Sequence, residues 1–306
     1  MKKIIITVGV ALFASKLAIA HHSHGNYQIG TEIEVRGTVT EAHIANPHVW
    51  VFMEVENEQG EIESWALESG GAAGFRRSGW ADIAAGDNIT VKCAPTRDED
   101  TGCFINDIQF NSSSEVAVKA PSWTNMTFED QLFRANFPHE PKISKAPFLA
   151  EYGGTFPSTL YEAQDGDNYY SITVVDYTDA KDIYLALAEE VNVAGVHNFW
   201  LYDQMGAIPY AAQQFRLRGG DVTYDAWHHV DFIDGHQLFI TNPDQSRTYA
   251  GIYRHANRLY ILEATVPPGS PPQMVFQQSL NILDDEGKRV RYDLLPDHTR
   301  VRVDAD

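Results

Sequence analysis

Basic residues are scarce in this chain of 306 residues. It has 23 lysines and arginines against 42 aspartates and glutamates, and its formal net charge is −19. The first twenty residues contain three lysines and no acid, so the chain without them has a net charge of about −22. Such an excess of negative charge repels phosphates, so we expect neither nucleic acid nor an anionic membrane surface as a partner.

Long apolar runs are also lacking, apart from one at the start. Lys2-Lys3 is followed by an apolar stretch over residues 4–14 and then by Ala18-Ile19-Ala20. This is the pattern of a secretion signal cleaved after Ala20, and the apolar stretch is too short to span a bilayer. No second run and no cysteine at the cleavage site follow. We therefore expect a periplasmic or secreted protein without a membrane span or a lipid anchor.

Cysteine is limited to Cys93 and Cys103. In an oxidising compartment, two cysteines ten positions apart most simply form a disulfide, which would cross a hairpin and stabilise it by roughly 2–3 kcal/mol. The alternative is a pair of thiolates on a metal ion, but the C-x-x-C spacing typical of such sites is missing.

Catalytic fingerprints are absent as well. The chain has no Gly-x-Ser-x-Gly, no His-Glu-x-x-His, no phosphate-binding loop and no dinucleotide-binding motif. Serine, histidine and aspartate are too common for a catalytic triad to be inferred from a sequence. No enzyme class is indicated.

The most informative stretch that is present covers residues 46–55. Successive side chains of a strand point to opposite faces, so Val49, Val51 and Met53 share one face while Trp50 and Phe52 share the other. One face can fill a core. The other, which also carries His48, is either covered by another layer or used to bind something.

The surrounding pattern predicts a small barrel over residues 21–110. Short strands are expected over residues 32–40, 46–55, 62–68, 88–94 and 104–110, with a bulge or bend at Gly37 and a short helix near residues 70–80. Three strands, a helix and two strands is the order of an OB-like barrel.

The rest of the chain predicts a connector and a second domain. Prolines interrupt residues 111–150, which we interpret as an extended connector with one short helical piece near residues 128–137. Residues 151–306 are expected to form an α+β sandwich with an antiparallel sheet. Its predicted strands cover residues 169–177, 222–233, 236–241, 247–253, 258–266 and 289–292, and its predicted helices cover residues 178–191, 198–205, 209–217 and 271–283. A turn is expected at Asp234-Gly235.

Six motifs in the first half occur in a fixed order: His21-His22-Ser23, Gly37-Thr38-Val39, Asn46-Pro47-His48-Val49-Trp50, Trp65-Ala66-Leu67-Glu68, Arg77-Ser78-Gly79-Trp80 and Gly86-Asp87. With this set, residues 21–110 resemble an uncharacterised family of small exported bacterial proteins. The resemblance implies export and a small β-barrel, and little chemistry. The chain differs from that family by its cysteine pair and its second half.

The second half is similar in its predicted element order to PsbP-like α/β/α domains. The similarity includes Arg258-Leu259-Tyr260-Ile261-Leu262, which leads through a Pro-Gly turn to Phe276-Gln277-Gln278-Ser279-Leu280. Domains of that kind are mostly binding or assembly factors, although a fold does not fix a function.

A candidate metal site lies at the predicted mature amino terminus. After cleavage the chain would begin with His21, and an α-amine next to an imidazole is a good chelator of Cu(II) or Ni(II). His22 or His24 could add a nitrogen, and His43 or His48 could complete the site from the barrel. The alternative is a solvated polar tail, with His48 as a hydrogen-bonded histidine under a cover.

Candidate ligand-binding residues lie on the barrel: Trp50, Trp65, Arg77 and Trp80. Arg76 and Arg77 with Trp65, Glu68 and Trp80 could form a small anion pocket, and an ion-paired surface turn is the alternative. In the second half, Trp227, His228 and His229 form a polar and aromatic patch, but adjacent strand residues point to opposite faces and cannot both ligate one ion.

Three functions follow from these residues. The first is a periplasmic binding or assembly protein without catalysis, with copper as its first candidate cofactor. The second is a copper-dependent oxidoreductase that uses His21 with His43 or His48. The third is a structural partner in an envelope complex, which would expose an apolar patch around Trp50 or Trp227.

Overall fold

A computed structural model describes residues 25–98, 101–112, 123–191 and 195–303. Among these residues, no helix combines the length and the apolar character needed to cross a membrane. The described chain forms a closed barrel, a large antiparallel sheet and a smaller layer between the two.

The first half forms a five-stranded barrel. Its elements are β1 (Ile33–His43), β2 (Val49–Glu56), β3 (Ile62–Ser69), helix α1 (Ala72–Arg77), β4 (Asn88–Pro95) and β5 (Gly102–Ser112). The strand order is β1-β2-β3-β5-β4, and pairing of β1 with β4 closes the barrel. Strands β3 and β5 run parallel, and the other pairs are antiparallel. The predicted α+β class with a small N-terminal barrel is confirmed.

Alternation along β2 builds two cores. Val49, Val51 and Met53 lie inside the barrel, where they pack with apolar residues of the other four strands. Trp50 and Phe52 point outward and belong to a second core shared with the large sheet. The aromatic face of this strand is therefore covered by another layer.

The predicted disulfide is confirmed. Cys93 on β4 and Cys103 on β5 are bonded, with 5.6 Å between their Cα atoms, and both are buried inside the barrel. The bridge ties together two strands that also pair through their backbones.

The second half is built on a seven-stranded antiparallel sheet. Its strands are β8 (Lys142–Leu149), β9 (Thr155–Asp165), β10 (Asn168–Asp176), β11 (Asp221–Val230), β12 (Ile233–Thr241), β13 (Arg247–His255) and β14 (Arg258–Val266), in the order β11-β12-β13-β14-β10-β9-β8. Helices α2 (Ala180–Val191) and α3 (Phe199–Arg216) cover one face. The barrel lies on the other.

A small layer separates the barrel from the sheet. It contains β6 (Thr124–Phe128), β7 (Phe133–Phe137), helix α4 (Met274–Gln277) and β15 (Asn281–Ile282), and the strand order is β15-β7-β6. The segment expected to be an extended connector instead contains paired strands, because β6 and β7 form a hairpin. The short helical piece expected near residues 128–137 is a 3₁₀ turn at Glu129–Gln131 within that hairpin. The prolines suggested a segment without strands, but Pro147 lies in β8, which is an edge strand, where proline is tolerated.

Other element boundaries also differ from the prediction. The turn between β11 and β12 lies at Asp231-Phe232, both with positive φ, and not at Asp234-Gly235. The two helices expected between residues 198 and 217 are one, with Pro209 inside it. The expected last helix is only α4, because the chain beyond it pairs with β7 as β15. The chain ends in a hairpin of β16 (Tyr292–Leu294) and β17 (Arg300–Arg302).

Candidate functional site

A buried polar junction joins the barrel to the second half. Glu68 on β3 is fully buried, and its carboxylate accepts hydrogen bonds from the hydroxyl of Tyr27 and from Nδ1 of His48. With its amide nitrogen turned toward the carboxylate, Gln278 also donates to Glu68, at 3.0 Å from Oε1. One side chain thus connects the start of the described chain, strand β2 and the segment after α4.

Strand pairing and the loop before β2 place His48 next to Glu68. Trp50 lies directly across from Glu68 in the β2–β3 pair, and His48, two residues earlier and directly before β2, reaches the carboxylate from the same side. Asn46 fixes the preceding loop, because its side-chain oxygen accepts a hydrogen bond of 3.1 Å from the backbone N–H of Ala72 at the start of α1. Residues of the Asn46–Trp50 and Trp65–Glu68 motifs therefore belong to the same contact network.

A second link lies beside the first. His43, at the end of β1, contacts the amide nitrogen of Asn136 on β7 through Nε2 at 3.5 Å. The backbone N–H of Asn136 donates in turn to the hydroxyl of Ser279 at 3.0 Å. All three residues are buried. Barrel, hairpin and the chain after α4 are thus joined by polar contacts as well as by the apolar core.

Burial sets the charge states in the junction. It raises the pKa of Tyr27 well above its ordinary value, and the nearby Glu68 carboxylate raises it further, so the phenol remains a donor. Burial also lowers the pKa of His43, which favours the neutral ring. Since the groups are buried and hydrogen-bonded to each other, the junction is suited to joining the two halves and not to contacting a ligand from solution.

The predicted ligand-binding residues of the barrel do not form one surface. Trp50 is 2% exposed in the core between barrel and sheet, so it presents no ring to solvent. Trp65 and Trp80 pack on the barrel's own core instead, Trp80 edge-on to Phe75 at 5.4 Å. Arg77 is exposed at the end of α1. The barrel wall separates Trp50 from the other two tryptophans.

The predicted metal ligands His21, His22 and His24 lie outside the described residues. His48, the fourth, is buried and paired with Glu68, and His43 is buried against Asn136. Within the described part of the chain, no group of three or more histidine, cysteine, aspartate and glutamate side chains is arranged to hold a metal ion.

A cleft of about 520 Å³ opens at the β8 edge of the large sheet. Lys145 on β8 pairs with Thr159 on β9, and Thr159 pairs with Val174 on β10, so these three side chains form a row across the floor. A second row, two residues further along each strand, contains Pro147, Pro157 and Asp176 on the same face.

A wall stands over this floor. Val174 pairs onward with Tyr260 on β14, and the hydroxyl of Tyr260 donates to the backbone oxygens of Gln131 and Leu132 at 3.2 and 3.4 Å. This fixes the 3₁₀ turn of the hairpin above the cleft, which Gln131 lines. The cleft is therefore bounded by two elements that are held to each other.

The cleft is amphipathic, with opposite charges at two corners. Lys145 and Asp176 are two strands and two residues apart, which gives about 12 Å between their Cα atoms from ordinary sheet spacings. Prolines and Val174 form the apolar floor between them, and threonines add hydroxyl groups. Clefts of this size and character are typical of sites for small molecules.

The comparisons with known proteins include one family match, which covers the first part of the chain. Residues 10–104 match the model of a family of unknown function, DUF6152. The resemblance of the first half is therefore confirmed, whereas the PsbP-like character of the second half is not. No curated protein matches the chain. Among solved structures, a crystal structure of the mitochondrial single-stranded DNA-binding protein Rim1 of S. cerevisiae is similar at 9% identity, over 28% of this chain and 96% of that one, with a TM-score of 0.23.

The sequence analysis named Glu68 and His48 but did not pair them with each other, and it missed the residues of the cleft. Glu68 gave a weak signal, since an acid sits on a strand face with Trp50 and Phe52 across from it, and such an acid needs partners. The cleft gave none. Its floor depends on the pairing of three strands, and β8 was assigned to the connector.

Proposed function

We propose that this protein is an exported binding protein of the bacterial periplasm whose ligand occupies the cleft at the β8 edge. The observation that carries the proposal is the cleft, with an apolar floor between Lys145 and Asp176. The predicted secretion signal supports export, and the absence of a recognisable catalytic motif in the sequence favours binding over catalysis.

The charges of the cleft define the ligand class. Lys145 attracts an anionic group, while Asp176 repels a second anion and accepts a hydrogen bond from an N–H or O–H group. Asp176 is held in place because its Oδ1 accepts hydrogen bonds from the backbone N–H and the hydroxyl of Thr178 at 2.8 and 2.5 Å. The expected ligand is a small amphipathic molecule with one anionic end and a donor at the other.

A suitable probe is 8-anilinonaphthalene-1-sulfonate, which combines a sulfonate, an N–H donor and apolar rings and fluoresces when bound. We expect saturable binding to the wild type. Lys145→Glu should raise the Kd by about tenfold or more, since it replaces attraction by repulsion. Thr159→Trp should abolish binding at the cleft by filling its floor.

Lys142→Glu is the matched control. It makes the same charge change on the same strand, but residues 142 and 145 are an odd number of positions apart and point to opposite faces. Its Kd should stay within about twofold of the wild type. Equal affinities of wild type, Lys145→Glu and Thr159→Trp would refute the proposed site.

We also propose copper binding at the mature amino terminus, supported by the sequence alone. The order Ala18-Ile19-Ala20 followed by His21-His22-Ser23-His24 would leave an α-amine beside an imidazole after processing. Mass spectrometry of the exported protein would establish whether the chain begins at His21. Processed protein should then bind Cu(II) more tightly than a variant with one extra residue before His21. Equal affinity would refute the chelate, and turnover of a substrate would favour the oxidoreductase.

A further inference from the structure

An exposed tryptophan lies at the opposite edge of the large sheet from the cleft. Trp227 on the edge strand β11 is 55% exposed. Its ring is nevertheless fixed, because Nε1 donates to Oδ1 of Asp234 at 3.2 Å and the imidazole of His229 lies 5.2 Å from it, centroid to centroid. An exposed aromatic ring with a fixed orientation loses little freedom on binding and is a favourable contact surface.

Helix α3 contacts the edge strand next to this ring but does not cover it. Trp227 pairs with His236 on β12 and shares its face with Asp225, two residues earlier. Arg216, the last residue of α3, holds Asp225 through two hydrogen bonds of 2.8 Å. Helix α3 therefore reaches the edge strand at Asp225 through its last residue, while Trp227, two positions further on the same face, stays exposed.

Charges around the ring are balanced. Asp225 is paired with Arg216 and with Nε2 of His236, and Asp234 is paired with Arg300. Two guanidinium groups face two carboxylates, so this surface is locally neutral although the net charge of the chain is −19. This local neutrality does not select a strongly charged ligand of either sign. It does provide oriented donors and acceptors at the edges of an apolar ring.

We propose that this surface, formed by Trp227 with Asp225, Asp234, His236, Arg216 and Arg300, binds a neutral saccharide. The apolar C–H face of a pyranose ring can stack on the indole, and its hydroxyl groups can both donate to carboxylates and accept from guanidinium groups. These two properties of a saccharide match the indole ring and the ion-paired polar groups around it.

A protein partner fits the surface less well. A stable protein interface buries about 800 Å² on each side. One aromatic side chain supplies about 150–250 Å², and the neighbours on this face are ion-paired groups that would lose water on contact. A saccharide of a few rings needs only the indole and its hydrogen-bonding rim.

The experiment is isothermal titration calorimetry of the full chain with three neutral oligosaccharides: chitohexaose, cellohexaose and maltohexaose. We expect at least one of them to bind with a submillimolar Kd. Trp227→Ala should weaken binding by about tenfold or more, and Trp227→Phe, which keeps a ring, should lose less. Because Trp227 is exposed, both variants should melt at the temperature of the wild type.

Tyr202→Ala is the control variant, since Tyr202 is an aromatic residue of similar exposure, 49%, on helix α3. It should bind the oligosaccharides as the wild type does. Absence of binding by all three at millimolar concentration would overturn the proposal. So would equal binding by Trp227→Ala, or sedimentation data showing a dimer of the wild type that Trp227→Ala dissociates.

Discussion

Glu68 illustrates how one buried side chain can organise distant parts of a chain. Its partners Tyr27, His48 and Gln278 lie 41, 20 and 210 positions away in the sequence. A buried carboxylate is costly unless it is hydrogen-bonded on both oxygens, and here it is. The Trp65-Ala66-Leu67-Glu68 motif therefore has a structural explanation that needs no ligand.

We expect Glu68→Ala to destabilise the protein strongly. The substitution leaves the Tyr27 hydroxyl and the His48 ring buried without their acceptor, a change that typically costs about 3–5 kcal/mol. Glu68→Gln keeps the shape and one acceptor and should cost about 1–2 kcal/mol. Urea unfolding measures both, with the exposed Glu61→Ala as control at about 0.5 kcal/mol or less. Equal stability of Glu68→Ala and the wild type would show that the junction stabilises nothing.

His43 gives the stability a dependence on pH. Its ordinary pKa is 6.5, and burial lowers the pKa in the folded protein. As the pH falls below about 6.5, the unfolded chain therefore binds a proton that the folded chain does not, and the free energy of unfolding falls, by at most about 1.4 kcal/mol per pH unit for one group. Above the unfolded pKa this contribution is fully present.

The variant His43→Gln should remove that dependence. Glutamine retains an acceptor for Asn136 but does not titrate. Urea unfolding at a series of pH values between about 5 and 8 should show a smaller loss of stability on acidification than in the wild type. The difference between the two curves reports on His43, since the two proteins differ at this residue alone. Parallel curves would mean that its pKa is the same folded and unfolded.

At the scale of elements, local patterns predicted what depends on local sequence. The alternation along β2 correctly separated Val49 and Val51 from Trp50 and Phe52, because the period of a strand is independent of what covers it. The disulfide was also predictable, because its two cysteines are only ten positions apart in the sequence.

Contacts between remote segments could not be predicted. Alternation shows that β2 has two apolar faces but not that α4 and β7 cover the second one. The cleft required the register of β8, β9 and β10, which is set by pairing in three dimensions. The turn at Asp231-Phe232 was missed because a phenylalanine with positive φ is uncommon, whereas Asp234-Gly235 is an ordinary turn sequence.

Gly37 on β1 is another position where the role of a residue depends on a neighbouring strand. The sequence predicts a bulge or bend there, whereas the irregularity in the β1–β2 pair lies between Val39 and Glu41. At Gly37 a Cβ atom would instead lie 2.1 Å from the backbone oxygen of Glu54. The glycine is required because strand β2 approaches β1 closely at this point.

Gly37→Ala should therefore destabilise the barrel by about 3 kcal/mol, at the upper end of overpacking costs, because a backbone atom cannot move aside as a side chain can. Gly70→Ala is the matched control. A Cβ there meets nothing within 4 Å, so the change should be within about 0.5 kcal/mol of the wild type. Urea midpoints at constant slope measure both. Similar midpoints for the two variants would contradict the close approach.

On the scale of the whole molecule, the two halves share one core. Tyr27, Trp50 and Phe52 of the first half pack in the same cluster as residues of β7, α4 and the large sheet. Asp98 at the barrel rim pairs with Arg247 on β13 at 3.2 Å and adds a polar link. Burial of apolar area across this boundary couples the stability of the halves.

We therefore expect barrel and sheet to unfold in one transition. Hydrogen exchange with mass spectrometry across a urea series should give the same midpoint for peptides from β2–β3 and from β13–β14. Trp50→Ala should lower the free energy of unfolding by about 3–5 kcal/mol, because it opens a cavity in the shared core. Both midpoints should therefore fall together. Trp227→Ala, at an exposed tryptophan, should lower neither. If Trp50→Ala shifts the barrel peptides and leaves the sheet peptides unchanged, the halves are independent folding units and Trp50 only caps the barrel.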